Sequence, residues 1–325
     1  LPRIITEASA DPNLLKVPFG DGIIQLRDTC IATECCEVVF TPNSPHIQLA
    51  FNGVEIFTNG SGSHHQLRKL DTRINLMVNA TARCGGIYMY SNHKGCDGSR
   101  LYFDGCAFIL SNGKPIVQGS QFALADVEVM VANVDLEAVT SYRASIPSFT
   151  EQASGAKRIP KIDVTRFALT DDSFVPTPLM KAIRYHTPEE EIGYGPACWL
   201  WDYLRRSGGS GYLLPLSGGA DSSSSAAIVG MMCHLVLRSI EAGDEQVLKD
   251  ARRIGGYEQG EIPVSADEFA SRIFHTLYMG SENSSSETKS RAKTLASQVG
   301  SYHLEVPIDS LTKALVSLFA LVTGL

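Results

Sequence analysis

The sequence predicts an α/β protein in two parts, an α/β sandwich followed by a doubly wound parallel sheet. Three observations carry that expectation. Residues 1–145 alternate short apolar or alternating runs with Gly, Asn and Pro punctuation around one clear amphipathic helix. Residues 146–190 lose this pattern and carry prolines at 147, 160, 176, 178 and 188. Residues 191–325 alternate strand and helix signals in β-α-β-α-β order, which implies parallel strands joined by right-handed crossovers.

In the first part, Gly22–Leu26, Val54–Thr58, Gly86–Ser91, Cys106–Leu110, Pro115–Gln118 and Val127–Val134 read as strands. Leu67–Arg83 reads as a helix, with apolar residues at 67, 70, 74, 77 and 78. Asn112-Gly113 between two strand signals predicts a hairpin. This mix points to a sandwich with large antiparallel or mixed content. The middle stretch is expected to connect rather than to form core, because its prolines prevent a long element. A helix then starts at Pro188 with Glu189, Glu190 and Glu191 and runs towards Arg206; acids first and arginines last suit the helix dipole. Beyond it, Tyr212–Leu216, Arg272–Met279 and His303–Pro307 read as strands. Asp221–Ala242, Ser286–Val299 and an apolar segment running to Leu325 read as helices. Ligands in such sheets gather beyond the carboxyl ends of the strands, where the turn Gly280–Ser285 also falls.

The chain has 325 residues, 44% hydrophobic and 19% charged, enough for two domains that each bury a core. A net charge of −7 argues against nucleic acid as the main partner. No apolar run approaches the roughly 20 residues of a membrane span. No signal peptide is recognisable, and no membrane partner is expected. The eight cysteines (30, 35, 36, 84, 96, 106, 198 and 233) include no Cys-x-x-Cys pair, so reduced thiols and a cytoplasmic location are expected. Cys198 sits among Pro196, Trp199, Leu200 and Trp201 and reads as core. His64, His65 and His93 have no carboxylate at metal-ligand spacing, so zinc is not expected. Asp171-Asp172 reads as solvated loop charge, and Ser222–Ser225 as the small-residue start of a closely packed helix.

The stretch Leu213-Leu214-Pro215-Leu216-Ser217-Gly218-Gly219-Ala220-Asp221-Ser222 carries the most specific chemistry. A short apolar strand stops at two adjacent glycines, and a helix opens directly after them. The glycines let backbone approach a ligand closely. The orphan amides and the dipole of a helix start favour an anion. Ser217 and Ser222 add hydroxyl donors, and Asp221 can hold a metal ion that neutralises phosphate charge. The stretch reads as a pyrophosphate cradle, and it is no Walker A loop because no lysine follows the glycines. SGGxDS resembles the loop of the ATP pyrophosphatase family, whose members split ATP between the α and β phosphates and adenylate a substrate. GMP, asparagine, argininosuccinate and NAD synthetases share it.

A second constellation spans Thr33–Pro42. A cysteine on a tight turn after a strand can accept an acyl group if a base activates it. Taken alone, two adjacent cysteines are more often packing residues. Their surroundings are distinctive: Glu34-Cys35-Cys36-Glu37 with Thr41-Pro42-Asn43-Ser44-Pro45-His46, then Asn59-Gly60-Ser61-Gly62-Ser63-His64-His65 and Gly85-Gly86-Ile87-Tyr88. Lys94-Gly95-Cys96-Asp97-Gly98, Gln118-Gly119-Ser120-Gln121-Phe122 and Ser141-Tyr142-Arg143-Ala144 follow. Together they resemble the nitrilase-type glutaminase domain of the glutamine-dependent NAD synthetase family. Tyr185–Glu191 and Gly195–Asp202 resemble its eukaryotic form, and the resemblance covers nearly the whole chain.

The resemblance implies part of a nitrilase-like α/β sandwich over 1–145, a connector over 146–190, and part of an ATP pyrophosphatase parallel-sheet domain over 191–325. It implies a divided reaction. A cysteine thioester in the first half releases ammonia from glutamine. The second half adenylates the nicotinate carboxylate of deamido-NAD with ATP and Mg2+, and ammonia displaces AMP. On this reading Cys36 is the glutaminase nucleophile, because the acid Glu37 follows it. Ser63 and Arg68 fall where the family places groups near glutamine. Pro215, Leu216, Ser217, Gly218, Gly219, Ala220, Asp221 and Ser222 match the ATP loop, with Ser217 placed to act in catalysis and Asp221 as the magnesium ligand. The family's glutamate base and lysine lie upstream of this chain's match, so Glu7, Lys16 and Glu34 are not assigned to those roles. Val38 and Phe40 stand where an acid and a tryptophan are common. A fragment that does not complete the reaction by itself is expected, from a protein that forms homo-oligomers. The alternatives are another SGGxDS ligase or a non-catalytic, nucleotide-binding relative. The Gly-x-Cys-x-Gly elbow of GMP synthetase is absent.

Overall fold

The computed structural model describes Arg3, Glu7 and residues 19–170 and 175–324. Its first half holds the strands β1 (Ile23–Gln25), β2 (Cys30–Cys35), β3 (Ile56–Ser61) and β4 (Ile87–Asn92). A small hairpin of β5 (Lys94–Cys96) and β6 (Tyr102–Asp104) follows, then β7 (Phe108–Ser111) and β8 (Lys114–Gln118). With β9 (Lys161–Asp163), the strands other than the hairpin form one seven-stranded sheet in the order β8-β7-β4-β3-β2-β1-β9. Neighbours β2, β3 and β4 run parallel, so their carboxyl ends share one edge, while β7 and β8 return antiparallel. Asn112 and Gly113 make the expected hairpin turn, both at positive φ, 49° and 80°.

Helices α1 (Pro45–Phe51) and α2 (Lys69–Cys84) cover one face of this sheet. Leu49, Ala50, Leu70, Ile74 and Met77 pack there on Phe57, Tyr88 and Phe108. On the opposite face Ile56, Ile87, Ile109 and Ile116 form a second cluster with Val139 of α3 (Leu136–Ala144). Val127–Val134 is not a strand. Met130, Ala132 and Val134 pack on this cluster while Val127, Val129 and Val131 face solvent, so the alternation is real but no neighbouring strand pairs with it. Among its described residues before Pro188 the middle stretch holds α4 (Pro147–Ser154) and β9, and β9 pairs parallel with β1 and extends the sheet edge.

The second half opens with α5 (Pro188–Ser207), whose start is a capping box between Thr187 and Glu190. Its parallel strands are β10 (Tyr212–Pro215), β11 (Phe274–Gly280) and β12 (Tyr302–Pro307), in that spatial order. The helices between them are α6 (Ala220–Glu241), α7 (Glu245–Gly255), α8 (Ala266–Ile273) and α9 (Ser286–Gln298); α10 (Asp309–Thr323) follows β12. Among the described helices, α6 is long and apolar enough to span a membrane by composition. Here it packs on α5 and α8 through Ala226, Val229, Met232, Cys233 and Val236. Ser224 and Ser225 are exposed, and the closely packed part of the helix that the serine run opens begins at Ala226.

The two halves share a core. Tyr102, Phe122 and Leu124 of the first pack with Cys198, Trp201 and Leu204 of α5. The Cys96 amide donates to Asp202 at 2.7 Å, and a Cβ at Gly95 would stand 2.6 Å from that carboxylate, at φ +106°. Only glycine admits this approach. Cys198 is buried, as its neighbours predicted.

Candidate active site

The carboxyl edge of β2, β3 and β4 gathers the first set of functional groups. Cys35 ends β2, and Cys36 turns the chain into a 3₁₀ segment, Cys36–Phe40, at φ 51°. A left-handed non-glycine residue costs about 1–2 kcal/mol, so its surroundings must hold it. Asn59 of β3 does so. Its Oδ1 accepts from the Cys36 amide at 3.1 Å, and its Nδ2 donates to the Cys36 carbonyl at 3.4 Å. Asn59 is fixed in turn by Ser61, whose hydroxyl donates to it at 3.0 Å, and by Tyr88, which accepts from it at 3.0 Å.

Under the elbow lies the buried carboxylate of Glu34. Tyr88 donates to it at 2.6 Å and the His46 amide, in the first turn of α1, at 2.6 Å. Burial opposes ionisation of Glu34, but the His46 and Tyr88 hydrogen bonds and the nearby imidazole outweigh it and hold the carboxyl below its ordinary range. Burial, then the Glu34 charge, pushes the Tyr88 hydroxyl far up. Both Glu34 oxygens are thus engaged in holding the elbow. Cys35 is exposed and Cys36 half-buried.

Lys69 is a group that the sequence reading passed over. Its Nζ donates to the His64 carbonyl at 3.1 Å and lies 6.0 Å from the ring centre of Phe40, which ends the 3₁₀ segment that Cys36 opens. Burial, then the Arg73 guanidinium, pushes its ammonium below the ordinary lysine value, while Asp104 and Cys36 oppose that shift. Its signal in the sequence was faint, since a lysine after an arginine at a helix start reads as solvated charge.

Among the described residues the buried Ser63 hydroxyl meets no hydrogen-bond partner, which leaves it as a donor for a ligand. Its backbone is pinned by Asn92, which accepts from the Ser63 amide at 2.8 Å and donates to its carbonyl at 3.0 Å. The Arg68 guanidinium, by contrast, is already engaged by Glu191 at 2.9 Å, Asp71 at 2.7 Å and the His186 carbonyl at 2.6 Å. Glu7 pairs with Arg3; Lys16, Asp171 and Asp172 lie outside the described residues.

The second set lies at the carboxyl end of β10. Leu216 is buried, and its amide donates to the Leu277 carbonyl of β11 at 2.9 Å, so the strand position fixes where the loop begins. Gly218 takes φ +79°, and a Cβ there would meet the Thr288 carbonyl of α9 at 2.3 Å. Gly219 is the N-cap of α6. The Ser217 and Ser222 hydroxyls meet at 2.9 Å across the turn, and Ser217 accepts from the Gly219 amide at 3.3 Å. Ser217, Gly219, Ala220 and Asp221 are exposed, and Pro215 is exposed at the strand end. The open helix start with two paired hydroxyls fits an anion, and the exposed Asp221 carboxylate fits a hard cation riding on it.

A mostly apolar cavity of about 570 Å³ lies at the junction of the halves. Its lining includes His65, two residues beyond Ser63, together with Tyr102, Trp199, Tyr212 and, three residues beyond Ser222, Ser225.

Comparison with known proteins agrees with this division. Residues 5–144 match the carbon–nitrogen hydrolase family and residues 196–322 the NAD synthase family. The chain is 58% identical over its whole length to a glutamine-dependent NAD(+) synthetase of Oryza sativa subsp. indica, covering 44% of that protein. It is 52% identical over 99% of its length to the Saccharomyces cerevisiae one, covering 47% of it. The chain thus spans less than half the length of these relatives. A crystal structure of a glutamine-dependent NAD(+) synthetase from Cytophaga hutchinsonii shares the fold, with TM-score 0.68 over 96% of this chain and 44% of that one at 22% identity. With a carbon–nitrogen hydrolase segment around Cys36 and an NAD synthase segment around Ser217–Ser222, the chain belongs to the glutamine-dependent NAD(+) synthetase family.

Proposed function

We propose that the protein carrying this chain makes NAD by amidating deamido-NAD, using ATP and ammonia drawn from glutamine. The observation that supports this best is the pairing, in one chain, of a strained cysteine elbow with an open SGGADS helix start. In the first half the Cys36 sulfur attacks the amide carbon of glutamine. The carbon–nitrogen bond breaks, the nitrogen takes up a proton and leaves as ammonia, and water later releases glutamate from the thioester. Asn59 and Glu34 hold the elbow, Lys69 brings a cation to the 3₁₀ segment that Cys36 opens, and Ser63 offers its hydroxyl to the substrate.

In the second half, the amides and hydroxyls of Ser217–Ser222 hold the β and γ phosphates of ATP. Asp221 would hold Mg2+, which supplies neutralising charge to the departing pyrophosphate. A carboxylate is a poor electrophile, so transfer of AMP to it creates a leaving group for ammonia to displace. Ammonia in water at neutral pH is mostly protonated. The mostly apolar pocket at the junction of the halves lies between the two sites and offers few polar groups to protonate it. Exchange of labelled pyrophosphate into ATP, dependent on deamido-NAD, tests the adenylation half in the full-length protein. Release of ADP and phosphate in place of AMP and pyrophosphate would contradict it.

A further inference from the structure

We infer that Glu191, on the first turn of α5, is a positioning residue for the glutamine-hydrolysing site in the other half of the protein, acting through Arg68 on Lys69. This rests on the reading of Cys36 as the reactive thiol.

Glu191 is 3% exposed although it opens a helix whose neighbours Glu189 and Glu190 face water. Both of its oxygens are used, and both reach across to the first half. Oε2 accepts from the Arg68 amide at 2.8 Å, and Oε1 accepts from the Arg68 guanidinium at 2.9 Å. One carboxylate thus fixes the backbone and the side chain of the same residue. Arg68 needs that help, because it stands at φ 63°, ψ 7° as the N-cap of α2 and its side chain makes no cap. A left-handed arginine is strained and persists only where its surroundings over-determine it. The conformation of Arg68 decides the direction in which the next residue leaves the turn, and the next residue is Lys69. The same turn is also held by the Lys69 amide on the Gln66 carbonyl at 3.0 Å, by Lys69 Nζ on the His64 carbonyl, and by the Arg68 guanidinium on Asp71 and the His186 carbonyl.

Glu191 cannot move independently of the second half. α5 packs along α6, the helix that SGGADS opens, through the core that holds Cys198, Trp201 and Leu204. The cation that faces the Cys36–Phe40 segment is therefore set by a residue of the helix that also packs on the one SGGADS opens. Sequence gave no hint of this, because Glu189-Glu190-Glu191 reads as one run of helix-start acids.

The test uses the full-length protein in a Cys35→Ala background, so that Cys36 is the thiol read at the elbow. Three quantities are measured: the rate at which iodoacetamide alkylates Cys36, kcat and KM with glutamine, and kcat with ammonium. Glu191→Ala is expected to slow alkylation and the glutamine-dependent kcat roughly 10-fold, with ammonium-dependent kcat within about twofold. Glu191→Gln should fall between, since its amide oxygen still accepts from the Arg68 amide. Because Glu191 acts through Lys69, Glu191→Ala combined with Lys69→Met should be little slower than Lys69→Met by itself. Unchanged alkylation in Glu191→Ala, additive losses in the double variant, or parallel losses with both nitrogen donors would overturn the inference. If Glu191→Ala does not fold, Glu191→Gln decides by the same readings. Alkylation that responds to Glu191 in a protein unable to hydrolyse glutamine would remove the proposed function and leave the positioning role standing.

Discussion

Asn59 grips Cys36 from both sides of one residue, accepting from its amide at 3.1 Å and donating to its carbonyl at 3.4 Å. No apolar side chain could do both. The grip makes a positive φ affordable at the end of β2 and lifts the thiol out of the strand. Asn59→Ala should therefore lower the glutamine-dependent kcat by about 10-fold or more, the cost of a lost hydrogen-bond pair plus released strain of about 1–3 kcal/mol. The ammonium-dependent rate should stay. Steady-state assays with the two donors check this, and equal losses with both would count against it.

The Glu34 carboxyl is held below its ordinary value of 4.5 in the folded protein. A depressed folded pKa means that the stabilisation is present above the unfolded value and is lost as pH falls through the folded one. Melting temperature measured between pH 7 and pH 3 should drop for the native protein as pH falls below about 4.5. The Glu34→Gln variant should start lower, because its amide NH2 faces a donor, and should lose less over the same range. Parallel curves for the two proteins would show that Glu34 is not the group responsible.

Two adjacent glycines should behave differently. A Cβ at Gly218 would collide with the Thr288 carbonyl, and the residue sits at φ +79°. At Gly219 the nearest atom to such a Cβ is Ser217 Oγ, at 3.4 Å, and φ is −87°. Gly218→Ala should destabilise the second half by at least about 1–2 kcal/mol whether or not nucleotide is present. Gly219→Ala should fold normally, with only an ordinary contact to Ser217 Oγ, and should weaken ATP binding where the added methyl stands at the open helix start. Thermal melts with and without ATP separate the two effects. A destabilised apo Gly219→Ala protein would contradict the assignment.

Asp221→Asn keeps the shape of the loop and removes its charge. Both donor-dependent rates should fall about 10- to 100-fold, matching about 1.5–3 kcal/mol for one charge-assisted contact, and excess magnesium should recover part of the loss. A loss confined to glutamine would show that Asp221 belongs to the other reaction.

Much of this architecture was legible from residue patterns, and the failures have physical causes. Strand–SGG–helix and Asn112-Gly113 were readable because both need backbone geometry that few residues supply. β2 was missed because its buried face is Cys30, Ala32 and Glu34, small or charged side chains that hide the alternation. α7 and α8 were missed because α7 buries only Val247, Ala251 and Ile254 among charges, and α8 is one short helix of eight residues. The roles of Asn59 and Glu34 depend on contacts between residues 23 and 54 positions apart, which no local pattern encodes. Arg68 was legible as an arginine near the site, but its partner 123 residues away was not.

The division of labour between Cys36 and the Ser217–Ser222 loop is tested most directly by Cys36→Ala in the full-length protein, assayed for NAD formation with glutamine and with ammonium. Glutamine-dependent synthesis should vanish while ammonium-dependent synthesis persists at close to the native rate. Equal loss with both donors, or retention with both, would contradict it.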